Sequence, residues 1–339
     1  MNGGLSLHVF IIKYLVTVTR SFIITVSARM LCKKKTFSLS TKFISITTKI
    51  LKKSLSLAYS SESATFLTKT IIKAPIKNFE ERYIFSRLMV DVIRHFLIKA
   101  KWDNVNDYLE KQCLLQNQAE KEVCDFIFCT HTGDYWILIL KLAKSFEGRN
   151  IDLVVPIYKK IDNEMEAIYS KIDILGVNVI FMCIHDDGAL IKLSRYMKKK
   201  NVIIAVFYDL SCYISGVYNG AVDDVLLFGK KGFMTTGIIR IAYKHNKKIS
   251  FASCHYSWNE KKFIVNISPV VDSGDTYSIK RSMVSYLECY LSEFPCQWHF
   301  INNLDTYFHY PYFQINQKNI SNNVLLKRIK EKYLSGQRG

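Results

Sequence analysis

Acidic residues are almost missing from the first 77 residues of this 339-residue chain, where Glu62 is the one carboxylate. The same stretch holds thirteen lysines and arginines, and therefore twelve of the eighteen net positive charges. Such an excess is typical of a surface that meets a negatively charged partner, either nucleic acid or an anionic membrane. The basic residues stand among Leu, Ile, Val and Phe, so the composition favours an anionic membrane surface and argues against nucleic acid.

Long uncharged apolar runs are missing as well, because Lys13, Arg20 and Arg29 interrupt the first apolar segment. Lys13 and Arg20 are seven residues apart and share one face of a helix whose other faces are apolar, which predicts an interfacial or tilted membrane anchor. A second apolar stripe, flanked by lysines, follows at Leu39, Phe43, Ile46, Ile50 and Leu57. The alternative is a pair of ordinary amphipathic helices packed on the domain. No small-residue cleavage pattern follows, so a signal peptide is not expected.

The nine cysteines include no C-x-x-C pair, and several lie in apolar runs typical of strands. This pattern argues against a zinc site and predicts reduced core thiols in a protein that faces the cytosol. Internal repeats and low-complexity linkers are also missing, and 49% of the residues are hydrophobic, enough for one large core. We expect a basic amphipathic region at 1–77, a single domain at 78–308 and a basic tail at 309–339.

From residue 78 to 118 the apolar spacing is helical, and beyond it strand-like and helix-like stretches alternate. The predicted helices after this point cover 136–143, 164–174, 189–199, 235–244 and 278–292. The predicted strands cover 126–129, 151–158, 177–184, 202–208, 249–254 and 263–267. This alternation predicts an α/β fold with a mostly parallel central sheet flanked by helices, finished by an antiparallel pair.

The segment His131-Thr132-Gly133-Asp134-Tyr135-Trp136 joins a predicted strand to a predicted helix. A neutral imidazole beside a carboxylate can take a proton from an alcohol, so His131 and Asp134 are candidate catalytic residues. Gly133 allows a tight turn or the close approach of a substrate. The chemistry this suggests is acyl transfer to a hydroxyl, and no G-x-S-x-G elbow supports a serine acyl-enzyme. The alternative is that His131 caps the following helix and Asp134 lies in its first turn, where the macrodipole favours a carboxylate.

Four blocks in order extend this signal: HTGDYW (131–136), VIIAVFYD (202–209), LLFGKKGFMTTGIIRIAYKHNKKI (226–249) and FPCQWHF (294–300). Together they resemble the lipid A late acyltransferases, the lauroyl and myristoyl transferases of the lysophospholipid acyltransferase superfamily. The resemblance spans about two thirds of the chain and implies a glycerolipid acyltransferase-like fold. It departs from the family at two places. The family's acidic residue five positions after the histidine is Trp136 here, and Asp209 is followed by Leu210 rather than glutamine.

The resemblance also implies substrate-binding positions. Lys159 follows the strand after which the family tends to have an arginine for a phosphorylated substrate, although it is equally well a solvated loop residue. The other implied positions are Asp209, Phe228, Gly229, Thr235, Thr236 and Gly237, among which the threonines have ordinary helix capping as their alternative role. Pro295, Gln297 and Trp298 are expected to pack and to end the last helix.

What the resemblance implies as a whole is a membrane-associated O-acyltransferase at the cytoplasmic face of the bacterial inner membrane, with no metal or cofactor. Its donor would be an acyl carrier protein or coenzyme A thioester, and its acceptor a hydroxyl of a glycolipid such as a lipid A precursor. Two alternatives stay open. One is an acyltransferase for another lipid or a small metabolite, and the other is a lipid-binding homologue that has lost the reaction.

Overall fold

The computed structural model describes residues 3–74, 77–116, 124–158, 160–211, 222–271 and 274–308. The predicted tail at 309–339 lies outside the described residues. Within them the chain is an α/β protein with a seven-stranded, mostly parallel sheet flanked by helices and preceded by an apolar N-terminal helix. The α/β prediction and the mostly parallel sheet are therefore confirmed.

The elements follow one another largely as the apolar pattern predicts. The helices are α1 (Gly3–Leu31), α2 (Phe37–Ile50), α3 (Lys52–Tyr59), α4 (Ser61–Leu67), α5 (Phe79–Lys99), α6 (Trp102–Gln112), α7 (Tyr135–Ser145), α8 (Asn163–Tyr169), α9 (Ala189–Met197), α10 (Gly237–Lys244) and α11 (Thr276–Glu293). The strands are β1 (Cys113–Gln116), β2 (Phe126–Cys129), β3 (Ile151–Ile157), β4 (Val177–Cys183), β5 (Val202–Phe207), β6 (Val222–Leu227), β7 (Lys230–Thr235), β8 (Ile249–Ser257) and β9 (Lys262–Ile267). Short 3-10 segments at Pro295–Gln297 and Ile301–Phe308 follow α11.

The large sheet has the strand order β1-β9-β8-β2-β5-β3-β4. Its neighbouring strands β8, β2, β5, β3 and β4 are all parallel, whereas β9 runs antiparallel to β8. Every residue of β2 and β5 is buried, as expected for continuous apolar strands that are covered on both faces. The carboxyl ends of β8, β2 and β5 therefore meet at one edge of the sheet, where α/β proteins usually place their sites.

The six predicted strands are confirmed to within three residues at each end, including the antiparallel pair β8 and β9. The single helical stretch predicted at 78–118 is wrong in one respect, because two helices meet at the extended residues Ala100 and Lys101 and β1 follows them. The β6–β7 hairpin is absent from the strands that the apolar pattern predicts. Its strands are short, half exposed and rich in charge, so no continuous apolar run marked them.

The N-terminal helices pack on α5 through one buried side and expose the other. Ile23, Leu31, Ile44 and Leu55 belong to the main hydrophobic core, and Arg20 on α1 forms an ion pair of 2.6 Å with Asp91 on α5. Within the described residues, the segment Ile11–Leu31 is long and apolar enough to cross a membrane, with a mean hydropathy of 1.4. Large apolar side chains on these helices stay exposed, among them Tyr14, Leu15, Phe22, Leu39, Ile46, Ile50 and Leu57.

Candidate active site

His131 lies at the centre of the carboxyl edge of the sheet. Strand β2 ends at Cys129 between β8 and β5, and α7 begins at Tyr135, so the histidine stands in the intervening turn. The strand is formed by four consecutive apolar residues, and the helix that follows is apolar over most of its length. These two buried elements hold the turn between them.

The carboxylate that pairs with His131 is Asp209. Cys129 on β2 is aligned with Phe207 on β5, so the residues two positions beyond each strand end also lie side by side. The Oδ1 atom of Asp209 is 2.7 Å from Nδ1 of His131, and its Oδ2 atom accepts the main-chain N–H of His131 over 2.7 Å. The Asp209 side chain is completely buried, whereas that of His131 is 19% exposed.

Two further side chains hold Asp209 in place. The indole N–H of Trp298 donates to Oδ2 of Asp209 over 2.7 Å, and the hydroxyl of Tyr307 donates to the main-chain carbonyl of Asp209 over 2.7 Å. The carboxylate thus accepts three N–H groups, two from His131 and one from Trp298. Such donors replace the water that a buried carboxylate loses. Asp209 was predicted as a substrate-binding residue, but its contacts orient the histidine instead.

The His131 imidazole is enclosed by aromatic rings. Its ring centroid lies 4.3 Å from that of Phe207, 4.8 Å from that of Phe300 and 6.2 Å from that of Tyr135. With Nδ1 facing an ionised carboxylate, the proton of the neutral ring resides on Nδ1 and the basic lone pair on Nε2. The arrangement can therefore take a proton at Nε2 from a hydroxyl that enters among these rings.

Asp134 does not fill the predicted role of partner to His131. Its Oδ1 atom accepts the main-chain N–H of Ile137 over 2.9 Å, so it is the N-cap of α7. The side chain is buried, and this burial raises the pKa of the Asp134 carboxyl to about 7. The predicted pairing is wrong because the carboxylate folds back over its own helix. The alternative is right in placing Asp134 at the helix N-terminus, but Asp134 rather than His131 is the cap.

Gly133 is confined by a close approach of the backbone. Its φ is +59°, and a Cβ atom at this position would lie 2.5 Å from the carbonyl oxygen of Cys254 on β8. The Gly133 N–H donates to the carbonyl of Gln297 over 2.9 Å, and its own carbonyl faces Nε2 of His299 at 3.0 Å. The glycine therefore fits a narrow space within the protein itself.

The segment 297–299 clamps the histidine turn. Thr132 forms an isolated β-bridge with Trp298, and the main-chain N–H of His299 donates to the carbonyl of His131 over 2.9 Å. Burial lowers the pKa of His299 to about 3, so its ring is neutral and donates Nε2–H to Gly133. From the sequence, this block is expected only to pack and to end the last helix, because a tryptophan after a proline turn carries no signal of a bond to Asp209.

Of the remaining predicted substrate-binding residues, only some lie near His131 and Asp209. The Thr235 hydroxyl donates to the carbonyl of Leu210 over 3.3 Å, which places it beside Asp209. The Thr236 hydroxyl instead donates to Asp223 over 2.6 Å, and Gly237 begins α10.

Phe228 and Gly229 form the turn of the β6–β7 hairpin, where both have positive φ and the Phe228 N–H bonds Glu288 on α11. No contact within the described residues joins this turn to His131, and Lys159 lies outside them.

Neither the protein families nor the curated proteins compared with this chain give a match.

Proposed function

We propose that this chain is a membrane-associated O-acyltransferase with a glycerolipid acyltransferase-like fold. In this proposal it moves a fatty acyl group from an acyl carrier protein or coenzyme A thioester to a hydroxyl of a glycolipid such as a lipid A precursor. The observation that carries the proposal is the pair formed by His131 and the buried Asp209, which leaves Nε2 facing an aromatic enclosure. The order of the four sequence blocks supports the choice of substrate class.

The proposed reaction is a direct transfer. Nε2 of His131 takes the proton of the acceptor hydroxyl while that oxygen forms a bond to the thioester carbonyl carbon. The tetrahedral intermediate then expels the thiolate as the C–S bond breaks, and the thiolate takes the proton back from Nε2. Asp209 stabilises the imidazolium that exists between these two proton transfers. Phe207 and Phe300 limit the access of water to the ring.

We infer a location at the cytoplasmic face of the bacterial inner membrane from the resemblance, and the surface of the N-terminal helices supports contact with a membrane. The exposed fractions of Leu15, Phe22 and Ile50 are 57%, 63% and 74%, and lysines flank Leu15 and Ile50. Apolar side chains of this size enter the acyl layer, and the lysines meet anionic headgroups. Within this proposal, the same positive charge attracts an acidic carrier protein or a phosphorylated acceptor.

The test is consumption of an acyl carrier thioester by the purified full chain with glycolipid acceptors. We expect His131→Gln to lower the rate by about a thousandfold, since it removes the base. The matched control is His245→Gln, because His245 follows α10 before β8 and therefore lies at the opposite edge of the sheet. Acyl transfer that persists in the His131 variant overturns the mechanism.

Two other outcomes would select the alternatives. Trp136 stands where the resembled family has an acidic residue, which favours a lipid-binding homologue without activity as the second candidate. Lipid binding without thioester consumption by the unmodified chain would select that candidate. Consumption dependent on His131 with small hydroxyl compounds, but not with glycolipids, would instead select an acyltransferase for another acceptor.

A further inference from the structure

A cavity of about 540 Å³ lies between α2 and the turn that joins β8 to β9. One wall is a single face of α2, since the lining residues Ser38, Thr41, Lys42, Ser45 and Ile46 follow helical spacing. The opposite wall comes from the end of β8 and the turn after it. This cavity, called here the α2 groove, contains neither His131 nor Asp209 in its lining.

The α2 groove is positively charged. Lys42, Lys261 and Lys262 line it, and Glu260 is the one acidic residue in the same lining, so the formal charge is plus two. In the described part of the chain, none of these three lysines forms an ion pair with an aspartate or glutamate, whereas many other lysines do. Ammonium groups without an internal partner are available to an anion.

Hydroxyl groups and an aromatic surface complete the lining. Ser38 and Ser45 stand on the α2 wall, and within the described residues neither side-chain hydroxyl has a hydrogen-bond partner in the protein. Across the groove, the half-buried indole of Trp258 is held by Phe85 at 4.6 Å and Tyr256 at 5.2 Å between ring centroids. Hydroxyls can bond phosphate oxygens, and a fixed ring offers a flat surface to the carbon skeleton of a headgroup.

The groove opens toward the apolar surface of the same helix. Ile46 belongs to the groove lining and is 56% exposed, and Ile50 is exposed one turn further along α2. A lipid whose chains stay with this surface would bring its headgroup to the lysines. We propose that the α2 groove binds the phosphate-bearing headgroup of an anionic membrane lipid, as a site separate from the catalytic histidine.

The groove is linked to the catalytic turn through one side chain. The Gln297 amide bonds both the N–H and the carbonyl of Tyr256, over 2.7 and 2.9 Å. The Gln297 main-chain carbonyl in turn accepts the N–H of Gly133. Because β8 and β2 are parallel, the end of β8 that borders the groove lies at the same edge of the sheet as His131, so a lipid held in the groove would bring this edge near the membrane.

The test measures binding to the full chain rather than acyl transfer, so it does not depend on the proposed reaction. The probes are dihexanoyl phosphatidic acid, dihexanoyl phosphatidylcholine and inorganic phosphate, titrated in solution by calorimetry. We expect phosphatidic acid to bind more tightly than the other two. The double variant K261Q/K262Q should weaken its binding by roughly tenfold or more. The matched control K198Q/K200Q removes two lysine charges after α9, outside the groove, and should keep the original affinity.

A second variant tests the space within the groove while its charge stays the same. Ser45→Phe fills the cavity and keeps every lysine, so it should abolish binding of the short-chain lipid while association with anionic vesicles persists. Equal weakening by both lysine pairs, or unchanged binding in Ser45→Phe, overturns the site. Equal affinity for inorganic phosphate overturns the lipid assignment. Because His131→Gln should bind the lipid normally, a failure of the catalytic proposal is recognised separately.

Discussion

The carboxylate of Asp209 accepts hydrogen bonds from both the ring Nδ1 and the main-chain N–H of His131, each over 2.7 Å. The two residues are 78 positions apart in the chain, and they meet because β2 and β5 are parallel neighbours in register. Each stands two residues beyond the end of its strand. The double contact fixes both the position of the histidine backbone and the orientation of its ring.

Asp209→Asn should remove activity while the fold persists. An asparagine can still accept the His131 N–H, but its amide group facing Nδ1 would favour the tautomer with the proton on Nε2, which cannot act as a base. We expect a loss of about a thousandfold in thioester consumption, within the range of roughly a hundredfold to ten-thousandfold that a positioned general base contributes. Circular dichroism should show an unchanged fold, and a variant with more than a tenth of the original activity would contradict the assignment.

Asp134→Asn should keep nearly full activity and change the pH dependence of stability. The folded-state pKa of about 7 lies above the ordinary value of 3.8, because burial disfavours the charged form. The carboxyl therefore stabilises the fold below its unfolded pKa, and that contribution is lost as pH rises toward 7. Asparagine still caps α7 and does not titrate. The free energy of unfolding of the variant, relative to that of the original protein, should therefore rise between pH 4 and pH 7. Urea unfolding across this range measures the difference.

Gly133→Ala should destabilise the protein more than Gly148→Ala. Both glycines have positive φ, +59° and +79°, so each alanine meets the same backbone penalty of about 1 kcal/mol. At Gly148 nothing lies within 4 Å of a new Cβ, whereas at Gly133 the Cys254 carbonyl lies 2.5 Å away. The extra destabilisation should appear as a lower thermal midpoint. Equal midpoints in the two variants would show that the turn can move away from β8.

His299→Gln should make the protein less sensitive to acid. Burial, followed by the charge of Arg87, lowers the pKa of His299 to about 3, below its ordinary value of 6.5. The neutral ring therefore contributes stability above pH 6.5 that is lost as pH falls toward 3. Glutamine can still donate to the Gly133 carbonyl, and it takes up no proton. The unfolding free energy of the original protein decreases as pH falls from 6.5 toward 3. In the His299 variant we expect this decrease to be smaller by up to about 1.4 kcal/mol per pH unit.

The buried His255 leaves part of this acid sensitivity in place. Burial lowers its pKa to about 4, and its ring stacks on Phe294 at 4.0 Å between centroids. The His299 variant should therefore retain a shallower slope rather than none. An unchanged slope in urea unfolding between pH 6.5 and 4 would contradict the assigned role of His299.

The apolar pattern by itself determined the alternation of strands and helices, the mostly parallel sheet and the position of His131 at a strand-to-helix turn. It could do so because a buried strand must be apolar at consecutive positions, and a covered sheet requires helices between its strands. The pattern did not predict the charged β6–β7 hairpin, because this hairpin buries only one side. The local sequence assigned the partner carboxylate of His131 to Asp134, since a local motif can pair only residues that are near in sequence.

Only the tertiary structure decided which groups surround His131. The partner carboxylate depends on the parallel register of β2 and β5, and the clamp depends on His299, which lies 166 positions from Gly133. Residue types along the chain do not encode such long-range alignments, because these arise when the whole core packs at once. The local sequence therefore identified the histidine, and the packing of distant elements chose Asp209 and Trp298 to hold it.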